Sequence, residues 1–289
     1  MEELIQQLMN GTIIGSSYAL LAVGLTLIFG IMRIVNFAHG EFYMVGGVLC
    51  FYLGNALNLN YFSALVLAVL LAMLLGAVLE RVVLRRLKDA SIDSTIIVTI
   101  GLAVFIQNVV LNMIGPVPKV IATPFSNMPI SVAGATLTSI QVFVVLVTAL
   151  VIIAFHILLR YSFLGRAMRA TFSDADAARL VGINTDRISS VTFVLGSGMA
   201  ALSGALLGSI YLVYPAMGEM AVLKSFIIVI VGGLGNIMGA IVGGLLLGIS
   251  ESLVSGYISS DYSEAIGFFI VIAVLLFKPQ GLFGRKGQV

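Results

Sequence analysis

The stretch SIQVFVVLVTALVIIAFHILL, residues 139–159, decides the fold class because it carries no Asp, Glu, Lys or Arg. A helix of this length, at about 1.5 Å per residue, spans a hydrocarbon core of roughly 30 Å. Apolar runs of similar length recur at 61–79, 94–114 and 188–213. The sequence therefore predicts an all-α, polytopic membrane protein with about eight transmembrane helices, some of them broken or re-entrant.

Composition supports this interpretation. The chain has 289 residues, of which 60% are hydrophobic and 10% are charged, whereas a soluble domain has about 25% charged residues. The apolar runs lack the alternation with a period of two that a transmembrane β-barrel requires. We therefore expect a single transmembrane domain over 1–289, without a soluble domain of useful size.

The basic residues predict the orientation of the chain. Most of them fall in three groups, and the positive-inside rule places each group in the cytoplasm. The members are Arg81, Arg85, Arg86 and Lys88, then Arg160, Arg166, Arg169, Arg179 and Arg187, then Lys278, Arg285 and Lys286. This predicts a cytoplasmic loop at 160–187. Segment 115–138 holds four prolines between two clean spans, so it is predicted to be an extracytoplasmic loop.

Two apolar regions are interrupted. The first interruption is RIVNFAHGEF, residues 33–42, and the second is VGGLGNIMGAIVGG, residues 231–244. The apolar region around the second, 221–254, would be roughly 50 Å long as one helix, which is too long for one span. It is either a tight cytoplasmic turn between two short helices or a helix break that lines a pathway.

The segment RATFSDADAARLVGINTDR, residues 169–187, is polar and carries three aspartates and three arginines. Ser173 and Asp176 have the spacing of a capping box, and Gly182 is suited to a left-handed helix end. They predict a short helix over 174–181. Such a helix is marginal alone in water, so it must dock on a surface. That surface is either a separate cytoplasmic protein or the membrane itself.

A resemblance favours the first alternative. DAARLVG, residues 176–182, resembles the E-A-A-x-x-x-G signature of ABC importer permeases, with Asp176 in place of glutamate. Three further segments resemble the branched-chain amino-acid permease family, and its NFAHGE box is typical of the first permease subunit of a pair. They are FGIMRIVNFAHGEFYMVGG (29–47), YPAMGEMAVLKSFIIVIVGGLGNIMGAIVGGLLLGISESL (214–253) and KPQGLFGR (278–285).

The resemblance implies an ABC importer permease fold, type II-like, in the bacterial inner membrane. It implies a heterodimer with a second permease subunit, two cytoplasmic ATPase subunits that bind ATP, and a periplasmic substrate-binding protein. The coupling helix that contacts the ATPase would comprise Ser173, Asp176, Ala177, Ala178 and Gly182. The chain has no G-x-x-x-x-G-K-[ST] sequence, so we expect no cofactor and no enzymatic activity in it. No nucleic-acid partner is expected.

Polar residues at membrane depth are candidates for the translocation path because they should face protein or water rather than lipid. The candidates are Asn36, His39, Glu41, Gly233, Asn236 and Glu251. His39 and Glu41 form either a polar wall for a zwitterionic substrate or, together with Asn36, a structural network that satisfies broken backbone near Gly40. Glu251, with Ser250 and Ser252, is interpreted as a network at the outer end of a helix.

The function expected from this resemblance is import of branched-chain or other hydrophobic amino acids. Permeases for urea or short amides in the same family are the alternative. An ion-coupled secondary transporter is an alternative of another class, but it would not explain a capped polar helix. A membrane enzyme would need a clustered nucleophile and base, and the sequence shows no such spacing.

Overall fold

The computed structural model describes residues 2–87, 90–125, 129–132 and 134–284. Eleven α-helices are found in these ranges, together with short 3₁₀ turns at Leu84–Leu87 and Ser260–Tyr262. The helices are α1 (Glu2–Met32), α2 (His39–Asn55), α3 (Tyr61–Val82), α4 (Ile92–Ile114), α5 (Ser139–Tyr161), α6 (Phe163–Ser173), α7 (Ala175–Leu180), α8 (Thr185–Gly208), α9 (Met217–Gly232), α10 (Ile237–Tyr257) and α11 (Ser263–Phe277).

Among the described residues, seven helical segments are long and apolar enough to cross a membrane. They contain α1, α3, α4, α5, α8, α10 and α11. Helices α2 and α9 are also apolar, but they have 17 and 16 residues. The predicted polytopic α-helical fold is therefore confirmed, with seven full-length candidates and two shorter helices where about eight spans were expected.

A small β-hairpin is an exception to the all-α prediction. Strands β1 (Pro129–Val132) and β2 (Ala135–Thr138) pair antiparallel within segment 115–138. Gln6 ties this hairpin to the start of α1, because its side chain accepts from Thr136 N at 2.8 Å and donates to Thr136 O at 3.0 Å. Helix α5 runs from the hairpin to α6 and α7, so these features lie at opposite ends of the bundle. We call them the hairpin side and the α7 side.

Burial separates central helices from peripheral ones. In the most apolar 18-residue stretch of α1 and of α8, 78% is buried within the chain. The corresponding share is 22% in α4 and α5 and 6% in the segment that contains α11. The centre is packed through small residues, as their four-residue spacing indicates. Gly15 of α1 faces Gly244 of α10, and a Cβ atom placed at Gly15 would lie 2.9 Å from Gly244 O.

Both predicted interruptions exist, but they are shorter than expected. The first occupies 33–38, because α2 resumes helix at His39, and the second occupies 233–236. His39 Nε2 lies 3.1 Å from Leu21 O. Leu21 is roughly 16 Å along α1 from its end at Met32. Helix α2 therefore begins within the height of the bundle rather than at its surface.

Helix α9 begins beside the start of α2. A Cβ atom at Gly40 would collide with Gly218 O, and one at Gly218 would lie 2.8 Å from Gly40 O. A second reciprocal contact joins the preceding helices. A Cβ atom at Gly24 would lie 2.8 Å from Gly196 O, and one at Gly196 would lie 3.0 Å from Gly24 O.

These reciprocal contacts reveal an inverted repeat. Helix α1 runs from the hairpin side to the α7 side and is followed by a break and α2. Helix α8 runs the opposite way and is followed by a break and α9. Two reciprocal glycine contacts between antiparallel pairs are what a two-fold axis in the membrane plane produces. The tight packing of these helices depends on residues without a side chain.

We predict that Gly46→Val strongly destabilises the protein. A Cβ atom at Gly46 would collide with the backbone of Ala201 in α8, and overpacking of this kind costs about 1–3 kcal/mol or more. Gly101→Val is the matched control, because Gly101 is also inside a helix but has nothing within 4 Å of its Cβ position. Thermal unfolding in detergent measures both. If both variants lost the same thermal stability, the close α2–α8 contact would not be what limits the stability of the fold.

Candidate functional site

The short helix predicted over 174–181 exists as α7, but its amino-terminal cap differs from the prediction. Asp174 Oδ1 accepts hydrogen bonds from the backbone N–H groups of Asp176 and Ala177, each at 2.9 Å. The prediction that Ser173 is the cap is wrong, because Ser173 is the last residue of α6 and still has helical backbone. Asp176 forms an ion pair with Arg179 at 3.0 Å instead of closing a capping box.

The carboxyl end of α7 confirms the conformation predicted for Gly182. Its φ is 87°, in the left-handed region. Gly182 N donates to Arg179 O and Ile183 N donates to Ala178 O, both at 3.0 Å. This pair of bonds is the Schellman pattern. Helix α7 is therefore fixed at both ends, although it has six residues rather than the predicted eight.

The exposed face of α7 is apolar at its end. Leu180 is 89% exposed and Val181 is 76% exposed. Ala177 is exposed too, whereas Ala178 is 3% exposed. The prediction that Ala178 faces a docking partner is therefore wrong, since its methyl group faces this chain. A surface for a partner would consist of Ala177, Leu180 and Val181.

On its inner side, helix α6, which leads into α7, contacts the end of α1 and the second helix break through Phe172. Ring atoms of Phe172 lie 2.7 Å from the Cβ positions of Gly30 and Gly235. Gly30 lies in the last turn of α1, three residues before the first break begins, and Gly235 is inside the second. Two residues separate Phe172 from the start of α7. Its aromatic ring thus packs against the end of α1 and against the second interruption at the α7 side.

At the second break, polar groups form hydrogen bonds with other residues of this chain. Asn236 Oδ1 caps α10 by accepting from Gly239 N at 2.9 Å, and Asn236 Nδ2 donates to Phe283 O at 2.9 Å. The backbone N–H of Phe283 donates to Gly232 O at 3.1 Å. Gly233 has φ 101° and packs against Gly284. This geometry is a tight turn held by the segment after α11, so it favours the turn over a pathway lining.

At the first break, the three candidate residues have different surroundings. Asn36 Oδ1 accepts from Ala38 N at 3.1 Å, so it satisfies broken backbone as expected. His39 joins α2 to α1 through Leu21 O. Glu41 is 2% exposed, and its Oε2 has no hydrogen-bond partner in the part of the chain that the structure describes. The structural network therefore accounts for Asn36 Oδ1 and His39 Nε2, whereas Asn36 Nδ2, His39 Nδ1 and Glu41 Oε2 all lack a hydrogen-bond partner among the described residues.

Glu251 belongs to a network that the sequence did not predict. Its Oε2 accepts from Lys224 Nζ at 2.9 Å and from Tyr18 OH at 3.2 Å. Lys224 also donates to Tyr18 OH at 2.7 Å. These partners replace the expected Ser250 and Ser252, because Ser252 bonds to Gln7 of α1 at 2.8 Å. The network joins α1, α9 and α10.

Glu219 is a polar residue whose importance the sequence analysis missed. It lies in the first turn of α9, it is exposed, and it accepts from Gln107 Nε2 at 2.6 Å. The signal was present in the sequence. The motif A-x-G-E occurs as AHGE at 38–41 and as AMGE at 216–219. The two copies start the two shorter helices, α2 and α9, and the structure brings them together.

Comparisons with known proteins agree with this architecture. The chain is 38% identical to the high-affinity branched-chain amino acid transport system permease protein LivH of Salmonella typhimurium, over 97% of this chain and 96% of that protein. It is 39% identical to LivH of Escherichia coli K12 and 35% identical to the corresponding protein BraD of Pseudomonas aeruginosa, with the same coverage.

No solved structure matches the chain. The sequence profile of the family described as "Branched-chain amino acid transport system / permease component" matches residues 7–275. That range includes both helix breaks, the A-x-G-E motifs and α7. The chain therefore belongs to the family of branched-chain amino acid transport permeases.

Proposed function

We propose that this chain imports branched-chain or other hydrophobic amino acids as one membrane-spanning subunit of an ATP-driven complex in the bacterial inner membrane. Its partners in this proposal are a second permease subunit, two cytoplasmic ATPase subunits and a periplasmic substrate-binding protein. The names of the LivH and BraD relatives support the substrate class. The observation that carries the proposal is the exposed apolar end of α7.

The physical argument concerns how α7 is held. Leu180 and Val181 stand at the end of a helix that is capped on both sides. Exposed apolar side chains on a fixed helix favour a protein partner, because burial in that partner removes them from water. A helix with fixed ends also passes a displacement to the helices that flank it, α6 and α8. Hydrolysis of ATP on a separate chain requires such a connection.

Affinity purification of this permease from its native membranes tests the proposal. We expect the second permease subunit and two ATPase subunits to co-purify in a stoichiometric complex. Leucine uptake by membrane vesicles containing that complex should require ATP and the loaded binding protein. Recovery of the permease without any ATPase, together with uptake that needs no ATP, would contradict the proposal and favour an ion-coupled transporter.

We predict that Leu180→Asp lowers the amount of co-purified ATPase by about tenfold or more, the loss typical of a central contact residue. The carboxylate would be desolvated where an apolar side chain is buried. Leu57→Asp is the control, because Leu57 is 63% exposed in the connection that follows α2. Gly182→Val should also lower ATPase recovery, because Gly182 has a φ of 87° and a β-branched residue rarely adopts that angle. If both variants recovered as much ATPase as the wild type, α7 would not be part of the interface with the ATPase.

Phe172→Ala should separate ATP hydrolysis from transport. Removing the ring leaves α7 and its exposed face in place but empties the contact with Gly30 and Gly235. We expect ATPase recovery and hydrolysis within about twofold of wild type and leucine uptake lower by about tenfold. Phe163→Ala in the same helix is the control, because Phe163 is 77% exposed. Parallel losses of hydrolysis and uptake would indicate general destabilisation instead.

Cysteine labelling tests the proposed orientation. In a Cys50→Ser background, Ala122→Cys lies in the hairpin-side segment and Val181→Cys lies at the end of α7. Because the basic groups are expected in the cytoplasm, an impermeant thiol reagent should label Ala122→Cys in spheroplasts. It should label Val181→Cys only after the inner membrane is permeabilised. The reverse pattern would invert the orientation.

A further inference from the structure

The two A-x-G-E motifs form one site at the axis of the inverted repeat. In each motif the glutamate lies in the first turn of one of the two shorter helices, Glu41 in α2 and Glu219 in α9. The glycine of each motif packs on the backbone of the other. Two sequence-related carboxylates therefore start from a shared backbone contact, although their positions in the chain are far apart.

The carboxyl group of Glu41 crosses to the other motif. Its Oε1 lies 2.8 Å and its Cδ 3.0 Å from the Cβ position of Gly218, in the first turn of α9. The amino-terminal end of that helix carries a partial positive charge that favours a carboxylate. Glu41 nevertheless lacks a hydrogen bond, because its side chain is 2% exposed and its Oε2 has no hydrogen-bond partner among the described residues. A buried acceptor of this kind calls for a donor.

Glu219 stands at membrane depth on the outside of this chain. It lies roughly 20 Å along α9 from Gly232 at the α7 side, inside a hydrocarbon layer of roughly 30 Å. It is exposed apart from its bond to Gln107. A carboxylate at that depth must face water or another subunit rather than lipid. The face of α9 that carries Glu219 therefore faces the interior of the assembled complex.

The surroundings of Glu219 suit an aliphatic side chain. Met220 and Leu223 follow it on α9 and are 42% and 41% exposed. One turn of helix separates Glu219 from Leu223, so the two lie on the same face. An apolar strip thus continues from the acidic pair toward the α7 side.

We propose that Glu41 and Glu219 together bind the α-ammonium group of an amino acid in transit through the complex. Two nearby carboxylates repel each other, and a primary ammonium group neutralises them while supplying three N–H donors. The adjacent apolar strip accommodates a branched aliphatic side chain. Urea and short amides carry no such cation, so the site selects amino acids. This inference rests on the proposed import function and names the chemical group that its path recognises.

Charge-neutral variants of nearly the same shape test the site. Glu41→Gln and Glu219→Gln should each lower ATP-dependent leucine uptake in proteoliposomes by about tenfold or more, because each removes a charge partner of the ammonium group. ATPase subunits should co-purify as in the wild type. Glu264→Gln is the control, because Glu264 is also exposed in the first turn of a helix, α11. It should transport normally. Should Glu41→Gln fail to fold, the exposed Glu219 variant carries the test.

A protection experiment gives a readout that a structural role would not change. In the Cys50→Ser background, Leu223→Cys, which lies one turn from Glu219 and keeps both carboxylates, is labelled in the complete complex with a small cationic thiol reagent. Leucine delivered by the binding protein should slow labelling by about threefold or more, since it occupies the same site. Protection by Na⁺ or K⁺ instead of leucine would identify an inorganic cation site and overturn the proposal.

Wild-type uptake by both glutamine variants, or labelling that leucine leaves unchanged, would also overturn the proposal. In either case the wild-type complex would still assemble and transport with ATP. Failure of the import function itself has a different signature, namely loss of ATPase co-purification and of ATP-dependent uptake in the wild type.

Discussion

The backbone contact between Gly40 and Gly218 allows two helices to begin inside the apolar layer. Lipid offers no hydrogen bonds, so exposed backbone at that depth must find partners within protein or water. Close approach of the two glycines brings the helix starts together, while Asn36 satisfies backbone in the first break. A side chain at either glycine would separate the helix starts. The inverted repeat and the position of both glutamates depend on this contact.

The sequence predicted the membrane spans, because an uncharged apolar run of spanning length has few alternative structures. It also predicted the left-handed end at Gly182, since the requirement for glycine is local. The cap at Asp174 was missed because the choice between Ser173 and Asp174 depends on where α6 ends. The pairing of Lys224 with Glu251 joins different helices and has no local signature. The repeated A-x-G-E motif was visible, but its meaning depended on the reciprocal packing.

Helix α9 connects the two proposed functional regions. One end, at Gly232, enters the break against which Phe172 packs, and the other end carries Glu219. Lys224, between these ends, joins α9 to α1 and α10 through Tyr18 and Glu251. A displacement of α7 would reach Phe172 through α6 and act on the α7-side end of α9. The geometry provides a continuous route of packed residues between the proposed ATPase contact and the proposed amino-acid site.

The central claim is that this chain transports only when ATP is hydrolysed on other subunits. Leucine uptake into proteoliposomes tests it most directly, with this permease and its second subunit reconstituted with or without the ATPase subunits. The account predicts uptake only when the ATPases, ATP and loaded binding protein are all present, whatever proton or sodium gradient is imposed. Gradient-driven uptake by the permease subunits alone, at a rate comparable to that of the complete complex, would contradict it.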